Sequence, residues 1–311
     1  MPRLNTEPFA FLSKFTPRNA ATVATSAGRA PIIWLKDRNE VHGESLGQIG
    51  SLEVRLCRSA ADVKRAQKLR YKVFYKEMAA IADARTYFTK RDIDAFDSVC
   101  DHLLVVDHDA PRKKPWKGPK VVGTYRLLGQ TAGRADGGFY TAGEYEIEKL
   151  IARHPGLRFL ELGRSCVLPP YRNKRTVELL WHGIWAYVVK NRFDVMVGCA
   201  SFPGTDANAH RLALSFLHHY APAPVEWQVS AHAAIRAPFD LLPKEAVDPK
   251  HAMRELPPLM KGYLRLGAMF GHDVVVDRQF GTTDVMVILP VSAISERYIG
   301  HFGADAGRYA A

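Results

Sequence analysis

The sequence lacks the features that would direct it to a membrane span, a metal site or a nucleotide. No apolar run approaches the ~20 residues that cross a bilayer, and MPRLNTEPFAFLSKFTPRNA at the start lacks the continuous apolar stretch of a secretion signal. The four cysteines have none of the paired spacing typical of zinc or redox sites. The glycine-rich loop that binds nucleotide phosphates is also missing. We therefore expect a cytoplasmic protein with reduced thiols and no bound metal.

The composition is that of a globular and basic protein. Of the 311 residues, 47% are hydrophobic and 10% aromatic, which is ample for a packed core. A formal net charge of +11 favours an acidic partner, which is nucleic acid, an anionic membrane surface or an acidic protein. A basic nucleic-acid-binding protein is one hypothesis, but the chain lacks alternating basic and aromatic residues and any recognised module. We expect no nucleic acid.

Domain organisation follows from where periodicity begins and ends. Residues 1–50 show no sustained pattern, which predicts a flexible extension. The ordered domain is predicted to cover residues 51–303, with a proline-rich insertion around 221–262. Residues 304–311 are predicted to be a tail.

The order of elements predicts a mixed sheet flanked by helices. SLEVRLC has the pattern of a strand, and ADVKRAQKLRYKVFYKEM has apolar residues at helical spacing. HLLVVD, VVGTYRLLG and RFLELGRSC predict an antiparallel meander, after which helix TVELLWHGIWAYVVKN and strand DVMVGCASF form a parallel crossover. A helix in DANAHRLALSFLHHY and strands HDVVVD and DVMVILP complete an α/β (α+β) fold.

A basic turn precedes the helix of that crossover. Arg172, Lys174 and Arg175 follow a strand and two prolines at the point where the apolar helix begins. Cations at a helix start are unfavourable by roughly 0.3–1 kcal/mol each, because the free amide groups there carry partial positive charge. An anionic group bound at this helix start would resolve the conflict.

Two further groups of charged residues are candidates for chemistry. Glu161 and Arg164 lie in strand-like sequence, where lone charges are costly to bury, and Gly163 between them permits a bulge. Arg126 lies inside the strand-like GTYRLL. An acidic segment, RDIDAFDSVCDH, precedes the first strand of the meander, and Asp residues there are more often turn or helix caps than catalytic groups.

The motifs LRYKVFYKEM, DIDAFDSVCDHLLV, VVGTYRLL, ELGRSCVLPPYRNKRT and LMKGYLRLGAMFG resemble the ornithine-lipid N-acyltransferases, a hemolysin-like family with the GNAT-type N-acyltransferase fold. The related acyl-homoserine lactone synthases have a similar pattern of charged and aromatic residues, which here comprises Arg70, Phe74, Asp94, Asp97, Arg126, Glu161 and Arg164. TYFTK stands where the lactone synthases have a tryptophan, which makes lactone synthesis the second hypothesis.

The resemblance implies transfer of a 3-hydroxyacyl chain to the α-amine of L-ornithine, giving lyso-ornithine lipid. Since RNKRT replaces a glycine-rich pyrophosphate loop, the implied donor is the acyl-phosphopantetheine thioester of acyl carrier protein, with no tightly bound cofactor. Lysine or glycine as acceptor, and contact with the inner-membrane surface, stay open.

The resemblance also implies roles for individual residues. Glu161 is the implied base, and Arg126 and Arg164 hold the acceptor carboxylate or orient Glu161. The implied substrate-binding residues are Arg70, Phe74, Asp94, Asp97, Cys166, Val167 and Leu168, the last three through backbone amides that polarise the thioester. Arg172, Lys174 and Arg175 would bind the phosphate of phosphopantetheine and the acidic carrier.

Overall fold

The computed structural model describes residues 45–111, 118–131, 137–295 and 298. Nearly all of the predicted extension, and the predicted tail, lie outside these ranges. The described part contains one sheet of nine strands. The strands are β1 Ser45–Ile49, β2 Leu52–Leu56, β3 Asp101–Asp107, β4 Lys120–Gly129, β5 Phe159–Val167, β6 Val195–Pro203, β7 Arg236–Ala237, β8 Met269–Asp277 and β9 Thr282–Pro290.

The sheet is mixed, with the order β1-β2-β3-β4-β5-β6-β9-β8-β7. The pair β5 and β6 is parallel, and every other neighbouring pair is antiparallel. This topology confirms the predicted α/β fold, with its antiparallel meander from β3 to β5 and its crossover from β5 to β6.

Seven α-helices surround the sheet in the described part of the chain. They are α1 Ala60–Arg70, α2 Ala84–Thr89, α3 Ile147–Arg153, α4 Lys174–Asn191, α5 Arg211–Tyr220, α6 Pro249–Glu255 and α7 Pro258–Leu266. A π-helix at Tyr71–Glu77 continues α1, so the predicted long helix changes its winding halfway. Each of these helices is too short or too polar to cross a bilayer.

Alternate residues of the strands pack into two hydrophobic cores, one on each face of the sheet. Leu103 and Val105 of β3 pack in the same cluster as α4, while Leu104 and Val106 pack in the same cluster as α1. Because neighbouring side chains of a strand point to opposite faces, α1 and α4 cover opposite sides of the sheet. Arg126 of β4 and Glu161 of β5 lie on the α1 side, because their neighbours along the strands pack in the same cluster as α4.

The described fold begins earlier than the predicted boundary at residue 51. Ser45–Ile49 forms β1, which pairs antiparallel with β2 through the turn at Gly50 and Ser51. This segment, SLGQI, has few apolar residues, so its strand depends on pairing with β2 rather than on its own pattern.

Candidate active site

Strands β5 and β6 separate in the middle of the sheet. They pair only from Phe159 to Glu161 with Val195 to Val197, although both continue well beyond this point. A Cβ on Gly198 would lie 2.4 Å from the carbonyl oxygen of Leu162, so glycine permits the close approach at which the strands begin to separate. The separation leaves strand edges to which a substrate can bind.

A bulge in β5 brings Glu161 and Arg164 to one side of the sheet. Thr124 faces Cys166 and Arg126 faces Gly163, so Arg164 and Ser165 together face Tyr125 alone. Gly163 was the predicted origin of such a bulge, but the residue in the left-handed region is Arg164, with φ of +49°. Backbone strain of roughly 1–2 kcal/mol is thereby held at a charged residue, as is common at functional sites.

A buried ion network anchors the first helix to the acidic segment. Arg70 is fully buried and donates from Nε to Asp92 at 2.7 Å and from Nη2 to both carboxylate oxygens of Asp97, at 2.7 and 2.9 Å. Removing one partner of a buried ion pair typically costs about 3–5 kcal/mol. Arg70 and Asp97, which both belong to the pattern named in the sequence analysis, are therefore members of one buried ion network.

Asp94 links this network to the two strand arginines. Arg126 Nη1 donates to both oxygens of Asp94, at 2.7 and 2.6 Å, and Arg164 Nη2 lies 3.4 Å from Oδ2. Burial raises the pKa of Asp94, but the charge and hydrogen bond of Arg126 outweigh this and hold the pKa below its ordinary value. Asp94 also caps the 3-10 helix Ala95–Ser98, so the expected capping role is one of two that this residue has.

Aromatic rings enclose the guanidinium of Arg164. It lies 4.7 Å from the ring centre of Tyr140 and 4.5 Å from that of Phe280. Phe74 packs edge-on against Phe280 at 5.6 Å, and is itself buried. Phe74 therefore supports the ring that contacts Arg164.

Glu161 is buried and accepts three hydrogen bonds from one turn. Oε2 accepts from the amide of Tyr140 at 2.8 Å, and Oε1 accepts from the amide of Thr141 at 2.6 Å and from its hydroxyl. Burial raises the pKa of Glu161, and the bonds from Thr141 and Tyr140 partly oppose this rise. An ionised carboxylate has about four acceptor sites, so one on Oε2 stays open to a substrate or water.

The backbone after the bulge is partly engaged by the sheet. The amide of Leu168 donates to the carbonyl of Val122 at 2.9 Å, so it has no proton to offer a thioester. Cys166 is buried, and burial strongly raises the pKa of its thiol. Cys166 pairs with Thr124 two residues along the same antiparallel ladder, so its amide is engaged by β4 as well. Of the three predicted residues, this leaves the amide of Val167 as the candidate.

The three cations of the basic turn have different surroundings. Arg172 lies before the helix, donates through both terminal nitrogens to the carboxylate of Glu77 and donates from Nε to the carbonyl of Val167. Lys174 is the first residue of α4 and its side chain is 86% exposed. Arg175 Nη2 lies 3.5 Å from the carbonyl of Ile49. All three are exposed residues, and Lys174 Nζ lies 3.7 Å from Glu178 Oε1, so each of the three cations has a neighbour within the protein.

A second carboxylate cluster escaped the sequence-based prediction. Glu144, Asp277 and Asp284 each place an oxygen within 4.8 Å of the others. Asp277 and Asp284 lie on the neighbouring strands β8 and β9, whereas Glu144 comes from a distant part of the chain, so the spacing of the three carries no signal. Asp284, a lone charge in the apolar DVMVILP, could have been singled out by the argument applied to Glu161.

The site can therefore bind anionic and cationic groups and accept a proton. Arginines, carboxylates and a buried glutamate meet beside a gap in the sheet, partly covered by aromatic rings. Such a site suits polar chemistry on a substrate whose chain extends between the two strands.

Comparisons with known proteins agree that this chain is similar to acyltransferases. A family model described as an acetyltransferase (GNAT) domain matches residues 69–182. An L-ornithine N(alpha)-acyltransferase of Agrobacterium fabrum is 55% identical over 262 residues, 84% of this chain and 88% of that protein. A protein of the same name from Rhizobium meliloti is 54% identical over 264 residues, 85% of this chain and 88% of that protein.

Two solved structures align with the chain at low sequence identity. The N-acyl amino acid synthase FeeM from uncultured soil microbes aligns with a TM-score of 0.39 and 11% identity, covering 78% of this chain and 91% of that one. The CoA-dependent acyl-homoserine lactone synthase BjaI aligns with a TM-score of 0.42 and 12% identity, covering 79% and 84%.

Proposed function

The chain belongs to the L-ornithine N(alpha)-acyltransferase family, and from this premise we propose that it transfers a 3-hydroxyacyl chain from acyl carrier protein to the α-amine of L-ornithine. The product would be lyso-ornithine lipid. The observation that carries the proposal is the identity of 55% over most of the chain, together with the buried arginine and aspartate network beside the gap between β5 and β6.

The chemistry requires few groups. The α-ammonium loses a proton, and its nitrogen forms a bond to the thioester carbonyl carbon. The nitrogen then gives up a second proton while the carbon–sulfur bond breaks, and the leaving thiolate takes up one proton to become the thiol. We assign Glu161 as the proton acceptor through the open site on Oε2, directly or through one water. The amide of Val167 is the proposed donor to the developing oxyanion.

Arg164 is the proposed contact for the acceptor carboxylate. Its Nε makes no hydrogen bond within the described ranges and lies 3.4 Å from Asp92 Oδ2. Arg126, with both oxygens of Asp94 on one nitrogen, is better suited to hold that network in place. Asp94 and Asp97 would then act on acceptor geometry through the arginines.

Acyl carrier protein is the proposed donor because the turn before α4 is basic and lacks glycine. The carrier is acidic, and the net charge of +11 favours its approach. Lys174 is exposed at the start of α4 and is the proposed contact for the phosphate. Its Nζ lies 3.7 Å from Glu178, a looser pair than that of Arg172 with Glu77.

Peripheral contact with the membrane is proposed for the segment after the π-helix. Ile81, Tyr87 and Phe88 are 67%, 58% and 79% exposed, and Lys90 lies over the ring of Tyr87 at 4.0 Å. Exposed aromatic residues beside lysine are suited to a lipid headgroup region, where a lipid product must be delivered. Sedimentation with anionic vesicles, compared between wild type and Phe88→Ser, tests this contact.

Expression in a bacterium without aminolipids, followed by mass spectrometry of the lipid extract, tests the main proposal. A new lyso-ornithine lipid is the expected product. A lyso-lipid of lysine or glycine would change the acceptor, and an acyl-homoserine lactone with release of methylthioadenosine would favour lactone synthesis. Purified protein with acyl carrier protein or coenzyme A thioesters identifies the donor.

A further inference from the structure

Three carboxylates converge beside the proposed active site. Glu144 and Asp284 are 8% and 5% exposed, and Asp277 is half-buried. Within the described ranges, none of the three forms a salt bridge, and Asp284 Oδ1 is buried without a hydrogen-bond partner. A buried carboxylate oxygen that the protein leaves unpaired is costly unless a ligand supplies the donor.

The carboxylates are connected to the active site by short contacts. Glu144 directly follows the 3-10 helix Tyr140–Gly143, whose first amides are bound by Glu161. Cys199, next to Gly198 at the point where β5 and β6 separate, donates its thiol to Glu144 Oε2 at 3.0 Å. The cluster therefore lies next to the strand edges where the acyl donor would enter.

A cleft gives access to the cluster. Glu144 and Asp277 line a cavity of about 870 Å³, within the size range of small-molecule sites. The same cavity is lined by Arg236 and Arg278, which supply positive charge a short distance away. Tyr140, whose ring contacts Arg164, also lines the cavity, so a ligand with its cationic end at the carboxylates can extend its anionic end towards Arg164.

Mutual repulsion and burial make the cluster favour a cation. Burial, with the charge of Asp284, raises the pKa of Glu144 to about 7. Burial also raises the pKa of Asp284 to about 6. A bound positive charge would stabilise the ionised carboxylates, so these groups gain from a cationic ligand.

The spacing of the oxygens admits an ammonium ion. Three acceptors placed tetrahedrally at ~2.9 Å from an ammonium nitrogen lie about 4.7 Å apart. The three carboxylate oxygens lie within 4.8 Å of one another, which is close enough for all of them to contact one such nitrogen. The same bound admits a divalent metal ion, so the experiment below includes a metal arm.

We propose that Glu144, Asp277 and Asp284 bind the side-chain ammonium of the diamino-acid acceptor and so select it over amino acids without a second amine. This inference rests on the proposed function, since it concerns the acceptor of that reaction. The δ-ammonium stays protonated in this cluster, while the α-amine, held on the side of Arg164 and Glu161, loses its proton and attacks. The cluster thereby directs acylation to the α-nitrogen.

Two conservative variants test the cluster with little effect on the fold. Asp277 Oδ1 accepts from the amides of Gln279 and Phe280, and asparagine keeps this carbonyl oxygen, so Asp277→Asn should preserve the turn. Asp284→Asn changes the charge of a residue whose Oδ1 has no partner. Asp248→Asn is the matched control, because exposed Asp248 caps the amide of Lys250 outside the cleft.

The measurement is kcat/KM for L-ornithine and for L-norvaline, which has the same carbon chain without the δ-amine, at saturating acyl donor. We expect wild type to prefer ornithine by ~10–100-fold, the range for a charge-assisted hydrogen bond. Asp277→Asn and Asp284→Asn should each lower kcat/KM for ornithine about 10-fold or more, through KM, and leave norvaline within about 2-fold. Asp248→Asn should keep the wild-type preference.

Other outcomes overturn the inference in recognisable ways. Equal losses for both acceptors would assign the cluster to folding or to the chemical step, and an unchanged preference would remove it from recognition. A metal site would be shown instead if EDTA abolished wild-type activity, a divalent ion restored it, and neither treatment changed the activity of Asp284→Asn. In each of these cases ornithine acylation by wild type still stands, whereas a wild type that acylates no amino acid contradicts the proposed function and this inference with it.

Discussion

The hydroxyl of Thr141 separates the two roles that Glu161 can have, as proton acceptor or as anchor of a turn. Thr141→Val removes the hydroxyl that donates to Glu161 Oε1 and leaves the two backbone donors in place. A hydrogen bond to a charged group contributes about 1.5–3 kcal/mol, and 1.36 kcal/mol corresponds to one pKa unit. Because this bond stabilises the ionised carboxylate, its loss should raise the pKa of Glu161 further.

The assay is the pH dependence of kcat/KM with ornithine. If Glu161 accepts the proton, the acidic limb of the profile should move to higher pH in Thr141→Val. Thr141→Ser, which keeps the hydroxyl, is the matched control and should retain the wild-type limb. Glu161→Gln should lose the limb and lower turnover by roughly 100-fold or more.

The pH dependence of the free energy of unfolding is the second measurement. Its sign follows from the difference between the pKa of Glu161 in the folded and the unfolded protein. A raised pKa in the folded protein means that this group's contribution is most favourable below the ordinary pKa and is lost as the pH rises through the folded value. Thr141→Val should therefore lower the free energy of unfolding by about 1.5–3 kcal/mol at alkaline pH and by less under acidic conditions. An unmoved acidic limb alongside this stability loss would show that Glu161 holds the turn and does not accept the proton.

Three further variants test other parts of the site. Asp97→Asn should lower the free energy of unfolding by about 3 kcal/mol, because it weakens the pairing of fully buried Arg70; an unchanged thermal midpoint would contradict the ion network. Arg172→Gln should cost at most about 1 kcal/mol, since its pair with Glu77 is exposed, and should weaken acyl carrier protein binding more at low salt than at high salt; equal affinities at both would leave this cation without a role in docking. Cys166→Ser should retain most of the turnover, because the buried thiol has a raised pKa and direct transfer needs no covalent intermediate; an acyl-enzyme adduct on wild-type Cys166 in intact mass spectra would refute this.

Local patterns were sufficient for most of the fold. The alternation and the apolar stripes in β5, α4 and β6 predict a strand, a helix and a strand, and a helix between two neighbouring strands favours a parallel pair. The bulge was also foreseeable, since Gly163 separates two charges that a regular strand would point to opposite faces. The residue with positive φ could not be predicted. It is Arg164, at +49°, and its side chain contacts Asp92, Asp94 and two aromatic rings that come from distant parts of the chain.

By itself, the sequence determined the order of elements, the mixed sheet and the concentration of charge around Glu161 and the acidic segment, because these depend on side-chain period and turn chemistry within short stretches. Only the tertiary structure decided what each charge contacts. It pairs Arg70 with Asp92 and Asp97, commits three acceptor sites of Glu161 to one turn and brings Glu144 to Asp277 and Asp284. Such contacts join residues far apart in the chain, and burial gives them their strength, so neither spacing nor composition could specify them.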